Sequence, residues 1–137
     1  MTTLLQFEVF GVPQPQGSSR AFVNRTTGRA IVTSSNPHLK DWRTEIASGA
    51  RTAMQGLPPI EHSVSVRATF WLPRPKSVKR DEPTVKPDLD KLVRAVLDGL
   101  THIVYFDDAQ VTHIEACKKY VDDKAGVPNP VVAITVY

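Results

Sequence analysis

Lys86-Pro87-Asp88-Leu89-Asp90-Lys91-Leu92-Val93-Arg94-Ala95-Val96-Leu97-Asp98-Gly99-Leu100 is the stretch on which the fold turns. Leu89, Leu92, Val93, Val96, Leu97 and Leu100 recur at helical spacing. They predict a helix that begins around Asp88 to Asp90, ends near Leu100 and buries that face. Pro87 disfavours helix at Lys86 and places the approach to Asp88 in extended chain. Residues two apart in extended chain point to one side, so Asp88 and Asp90 are expected to face one way while Leu89 turns inward. Inside a helix the two would diverge by about 200°. The pair makes chemical sense as a pair only at the junction.

Working outward, Val64, Val66, Ala68, Phe70 and Leu72 alternate through an amphipathic strand. The proline-bearing basic loop 73–87 that follows is expected to be mobile when nothing is bound. Beyond the helix, Ile103 to Phe106 leads into Asp107-Asp108. Val111 to Tyr120 and Val131 to Val136 read as an antiparallel pair joined through Asp122 to Pro130. Nearer the N-terminus, Leu5 to Phe10 reads as a strand with Leu5, Phe7 and Val9 on one face. Gly11-Val12-Pro13-Gln14-Pro15-Gln16-Gly17 is a loop too rich in proline for a sheet interior. Ala21 to Arg25 and Ala30 to Val32, joined by Thr26-Thr27-Gly28, suggest a hairpin. Asn36 as cap, Pro37 as first helical residue and the stripe Leu39, Trp42, Ile46, Ala50 and Ala53 predict another helix, stopped by Gly56 and Pro58. The expected fold class is α+β: one domain over residues 1–137, a mixed or antiparallel sheet packed against two helices.

The chain of 137 residues carries a net charge of +3 and one cysteine, Cys117. No apolar run approaches the roughly 18 residues of a membrane span, and Met1 to Gln6 lacks the pattern of a signal peptide. A lone cysteine with no internal partner points to a reducing cytoplasm. The histidines at 38, 62, 102 and 113 have no zinc spacing. The charge is clustered: eight Lys or Arg residues lie between Arg67 and Arg94 against four acids, and Arg20, Arg25 and Arg29 stand together near the N-terminus. Such clusters suit a polyanion, although alone they read equally as solvated surface.

Two carboxylates held as closely as Asp88 and Asp90 repel each other, and a divalent cation or a helix N-terminus relieves that repulsion. Magnesium takes a few carboxylate oxygens and leaves the rest of its octahedron to water and substrate phosphate. Taken alone, Asp88-Leu89-Asp90 starts a helix more often than it holds a metal, and Asp107-Asp108 is an ordinary turn. Arg94 lies one helical turn after Asp90 on the same face, placed either for a surface ion pair or to hold a phosphate beside a metal. Lys91 points elsewhere and is a candidate backbone-phosphate contact.

The collinear motifs Lys86-Pro87-Asp88-Leu89-Asp90-Lys91-Leu92-Val93-Arg94, Leu97-Asp98-Gly99-Leu100-Thr101 and Tyr105-Phe106-Asp107-Asp108-Ala109-Gln110-Val111 resemble the RusA family of Holliday junction resolvases, often carried by bacteria and their prophages. The Gly11–Gly17 loop with Arg20 and the helix around Trp42 extend the resemblance over most of the chain. It implies that Asp88, Asp90 and Asp108 form a triad for magnesium or manganese, with Asp107 the fallback for Asp108. It also implies a homodimer that makes paired nicks across a four-way DNA junction, which a two-fold enzyme suits. The family usually has Asn directly after the second aspartate and Lys four residues after it, where this chain has Lys91 and Arg94. Asp98 belongs to the family pattern too and reads as structural, a partner for a basic side chain.

The expected activity is hydrolysis of phosphodiesters in branched DNA. Asp88, Asp90 and Asp108 would hold the metal, Arg94 would steady the phosphate, and Arg20, Lys79, Arg80 and Lys91 would grip the backbone. A nuclease for flaps or forks is the neighbouring alternative. A binding-only module for junctions or RNA is a different class, against which the acids argue because uncompensated carboxylates weaken phosphate binding. No glycine-rich phosphate loop or dinucleotide fingerprint supports a small-molecule transferase.

Overall fold

The computed structural model describes residues 2–17, 19–34 and 36–137, without the side chains of 19–22 and 31–34. Four strands make the main sheet: β1 (Leu5–Phe10), β4 (Val64–Leu72), β5 (Val111–Tyr120) and β6 (Val131–Val136), in the order β1-β6-β4-β5. A separate hairpin pairs β2 (Ser19–Val23) with β3 (Ala30–Ser34). Two helices, α1 (Leu39–Met54) and α2 (Leu89–Leu100), complete the α+β domain. Among the described residues no helix is long and apolar enough to cross a membrane.

The alternation in β4 sets the sheet's inner face. Val64, Val66, Ala68, Phe70 and Leu72 are all buried, joined by Val132, Ile134 and Val136 of β6 and by Leu5 and Val9 of β1. Trp42, Ile46 and Ala50 of α1 and Leu92, Val96 and Leu100 of α2 close the core over them.

Three expectations need correction. β5 and β6 are not an antiparallel pair: β4 lies between them, parallel to β5 and antiparallel to β6. The chain crosses from β4 to β5 through α2, the connection that a parallel neighbour requires. The hairpin turn starts at Asn24, whose Oδ1 accepts from the backbone N–H of Thr26 at 2.9 Å and of Thr27 at 3.2 Å, so the first strand stops at Val23. α1 begins at Leu39, with His38 rather than Asn36 at the cap position. Asn36 instead closes the preceding turn, its Oδ1 accepting from His38 N at 3.0 Å.

The apolar residues of α2 divide into two stripes. Leu92, Ala95, Val96, Gly99 and Leu100 are buried against the core and α1. Leu89, Val93 and Leu97, spaced four apart, are only partly buried and line a hollow of about 620 Å³ together with Asp90, Arg94, Ile114 and Ala116. β5 is the edge of the sheet, and Ile114 on it is 45% exposed.

Gly99 lies where α2 packs closely against Ile46 of α1. A Cβ there would stand 2.7 Å from Ile46 Cγ2 and 3.0 Å from Ile46 Cβ. Gly99→Ala is therefore expected to lower stability by about 1–3 kcal/mol, as overpacking does. In chemical denaturation the loss should be smaller when the same change is made in an Ile46→Ala background.

Candidate carboxylate site on helix α2

Asp88 stands at the N-cap of α2 in extended backbone, φ −71° and ψ 139°. The Lys86–Pro87 peptide before it is cis. The Asp88 side chain makes no capping hydrogen bond, so its carboxylate is not spent on the helix. Lys91 Nζ lies 3.9 Å from Asp88 Oδ2, a loose and exposed pair worth little to stability. Asp90 lies in the first turn, where negative charge is favourable beside the helix N-terminus. It lines the α2–β5 hollow, and Arg94 lines the same hollow, one turn along as the spacing requires. Asp88 lines a different hollow, between the start of α2 and the loop 12–17. The two carboxylates thus flank the helix start rather than lining one concavity.

Lys118 fixes the approach to this corner. Its ammonium donates to Val85 O at 2.7 Å and Pro87 O at 2.8 Å. It belongs to the β5 positions that run alongside the buried positions of β4, paired with Phe70. A lysine in that inward register is the signal that sequence reading passed over. The 73–87 loop, expected to be mobile when nothing is bound, makes several contacts with β5: with Lys118, through Arg80 Nε donating to Tyr120 OH at 2.9 Å, and through Arg74 over the Tyr120 ring at 5.2 Å.

At Asp107-Asp108 the structure separates the roles. Asp107 caps the short 3-10 turn Asp108–Gln110, accepting from Ala109 N at 2.8 Å. Gln110 completes a capping box: its Oε1 accepts from Asp107 N at 3.0 Å and Phe106 N at 2.9 Å. The other end of Gln110 donates to Ile60 O at 2.7 Å and His62 O at 3.0 Å, tying the turn to the segment before β4. Asp107 thus serves the turn, whereas the Asp108 side chain takes no part in this cap; both residues are exposed. Partial desolvation, a hydrogen bond with Asp107 and repulsion from Asp107 and Asp98 hold its carboxyl above the ordinary value. Burial pushes the nearby Tyr105 phenol well up, and its hydroxyl donates to Leu97 O at 2.8 Å. Asp98 pairs with Arg43 of α1 at 3.6 Å, the structural role its position suggested.

Asp108 and Asp90 stand at opposite ends of α2. Tyr105 ties the Asp108 turn to Leu97 near the helix C-terminus, whereas Lys118, late in β5, meets Pro87 at the N-terminus. α2 and β5 therefore run in opposite directions. From Asp90 to Asp98 alone the helix rises about 12 Å. Accordingly, no group of three or more His, Cys, Asp or Glu among the described residues stands close enough to hold one ion. The oxygen donors are of the type magnesium and manganese take, yet within one chain they form no triad.

Lys79 and Arg80 are exposed on the 73–87 loop, and Lys91 edges the hollow that Asp88 lines. Arg20 lies on β2, and its side chain falls outside the described residues.

Comparison with known proteins gives two matches. The model of the family described as endodeoxyribonuclease RusA matches residues 13–134. The chain is also similar to the uncharacterized protein YqaN of Bacillus subtilis (strain 168), with 28% identity over 131 residues covering 87% of this chain and 89% of that protein.

Proposed function

Because the chain belongs to the RusA endodeoxyribonuclease family, we propose that it is a metal-dependent nuclease that resolves four-way DNA junctions by paired, symmetric nicks, working as a homodimer. The observation that carries the reading is the disposition of the acids: Asp88 occupies a cap position without capping, and Asp107 caps in place of Asp108. Carboxylates that do no structural service are then available for chemistry.

The separation of Asp108 from Asp90 supports the dimer. A two-fold axis through the middle of the α2–β5 face reverses both elements and exchanges their ends. It brings the partner subunit's Asp108 towards Asp88 and Asp90 of the first chain, and the reverse at the second site. The half-buried stripe Leu89, Val93, Leu97 and the exposed edge strand with Ile114 are what such pairing would cover. A magnesium or manganese ion held by this composite set would supply Lewis-acid polarisation of the scissile phosphate. Arg94, in the hollow of Asp90, would neutralise charge developing on that phosphate. A guanidinium is permanently protonated, so Arg94 acts by charge and by its donors and not by giving up a proton. Lys91, Lys79, Arg80 and Arg20 would hold flanking phosphates, and binding should weaken steeply with salt.

A panel of end-labelled four-way, forked and linear duplexes tests the reading. With magnesium or manganese the four-way junction should be cut at symmetric positions on opposing strands, and the linear duplex left intact. Faster cutting of forks or flaps would move the assignment to another branched substrate. Tight junction binding without any cutting would make the protein a binding module.

A further inference from the structure

Ile114, Ala116, Lys118 and Tyr120 of β5 run beside Val66, Ala68, Phe70 and Leu72, the buried row of β4. Lysine is rarely drawn into such a row unless its ammonium is paired. Here one ammonium holds two carbonyls of the segment leading into α2, Val85 O at 2.7 Å and Pro87 O at 2.8 Å. Charge-assisted bonds of this kind are the strong ones. The helix cannot supply them itself. The first carbonyl paired along α2 is Asp88 O, which accepts from Leu92 N at 3.1 Å, and Pro87 O lies one residue ahead of it. A peptide unit is planar, so holding Pro87 O also holds Asp88 N in the same plane and sets where the Asp88 Cα stands. Asp88 has little else to place it. Its side chain makes no capping bond, and its pair with Lys91 is loose at 3.9 Å.

We propose that Lys118 is a positioning residue for the carboxylate site: it locks the Pro87–Asp88 peptide to β5 and so holds the Asp88 carboxylate where it takes a divalent ion. The proposal rests on the metal-dependent reading of Asp88, and not on the four-way junction as substrate. The sheet is the fixed platform in this arrangement, since β5 is paired with β4 from Val111 to Tyr120. The lysine stem carries that rigidity across to the helix entrance. Groups that orient a metal ligand from behind in this way set the affinity of the site without touching the ion.

The test is equilibrium binding of manganese to the metal-free protein, read from the ion's paramagnetic resonance signal with no DNA present. Lys118→Met keeps an apolar stem and removes the ammonium, and it should weaken manganese binding about tenfold, the scale on which such orienting groups act. Lys118→Arg, whose donors still reach towards both carbonyls, should recover most of the affinity. The sign is decisive. A cation near the site repels a divalent ion, so if Lys118 were only a nearby charge its loss would tighten binding. The circular dichroism spectrum of Lys118→Met should match that of wild type. Manganese bound by Lys118→Met as tightly as by wild type, or more tightly, overturns the proposal. Loss of the wild-type spectrum overturns it too, making Lys118 a strut of the fold. A wild-type protein that binds no manganese removes both this role and the metal-dependent reading. Weakened manganese binding in the variant of a protein that cuts no branched DNA would leave the positioning role standing and overturn the nuclease reading.

Discussion

Asp90→Asn and Asp108→Asn proteins should each be almost inert on four-way junctions, yet an equimolar mixture that has exchanged subunits should recover about a quarter of wild-type nicking. Each substitution alone damages both sites of a homodimer, and the loss of one charge-stabilising group is expected to cost about a hundred- to a thousandfold in rate. In a mixed dimer the two lesions fall together in one site. The other site then has Asp88, Asp90 and the partner subunit's Asp108 all intact. Half of randomly exchanged dimers are mixed and each has one good site of two, hence the quarter. The product should be singly nicked junctions rather than resolved duplexes. Should the mixture stay as inactive as its components, with exchange verified by differently sized tags, the acids act within their own chain and the composite arrangement is wrong. Junction binding by both single variants should persist, which separates loss of chemistry from loss of fold.

The second large effect is expected from Ile114→Lys. Ile114 lies on the edge strand beside the hollow that α2 leaves open, and it is exposed in the single chain, so a lysine there costs the monomer little. At a two-fold interface the change appears twice and places like charges close together. An uncompensated buried charge costs roughly 3–5 kcal/mol. Dimer affinity should therefore fall by at least about a hundredfold. Sedimentation should show a folded monomer with an unchanged circular dichroism spectrum and no nicking. A dimeric, fully active Ile114→Lys protein would place the interface elsewhere.

The local features of this chain were legible in its sequence because they are set by neighbours along the chain. The alternation of β4 and the apolar spacing of α2 follow from periodicities of two and 3.6 residues. What was hidden depends on partners distant in sequence. Val111 to Tyr120 has the composition of a strand, but nothing local says that β4 and not β6 lies beside it. Leu89, Val93 and Leu97 are as apolar as Leu92 and Val96, so the spacing reveals an apolar helix without revealing which stripe the monomer covers. Within the site, Asp90 and Arg94 sharing one hollow followed from helical spacing. Preference for Asp108 over Asp107 came from resemblance; that Asp107 is engaged in a capping box closed by Gln110 needed the fold. Lys118 was missed because it acts through contacts with a distant segment.

Placing Asp90 and Asp108 at opposite ends of one helix has a consequence for the cell. With the composite site proposed above, a newly made copy would carry both halves of the cutting apparatus without assembling a whole one, and the first few molecules synthesised would pose little hazard to a chromosome. On this arrangement cutting capacity rises with roughly the square of protein concentration below the dimerisation threshold. A nuclease built this way is governed by dosage, needing no separate inhibitor to keep scarce copies harmless.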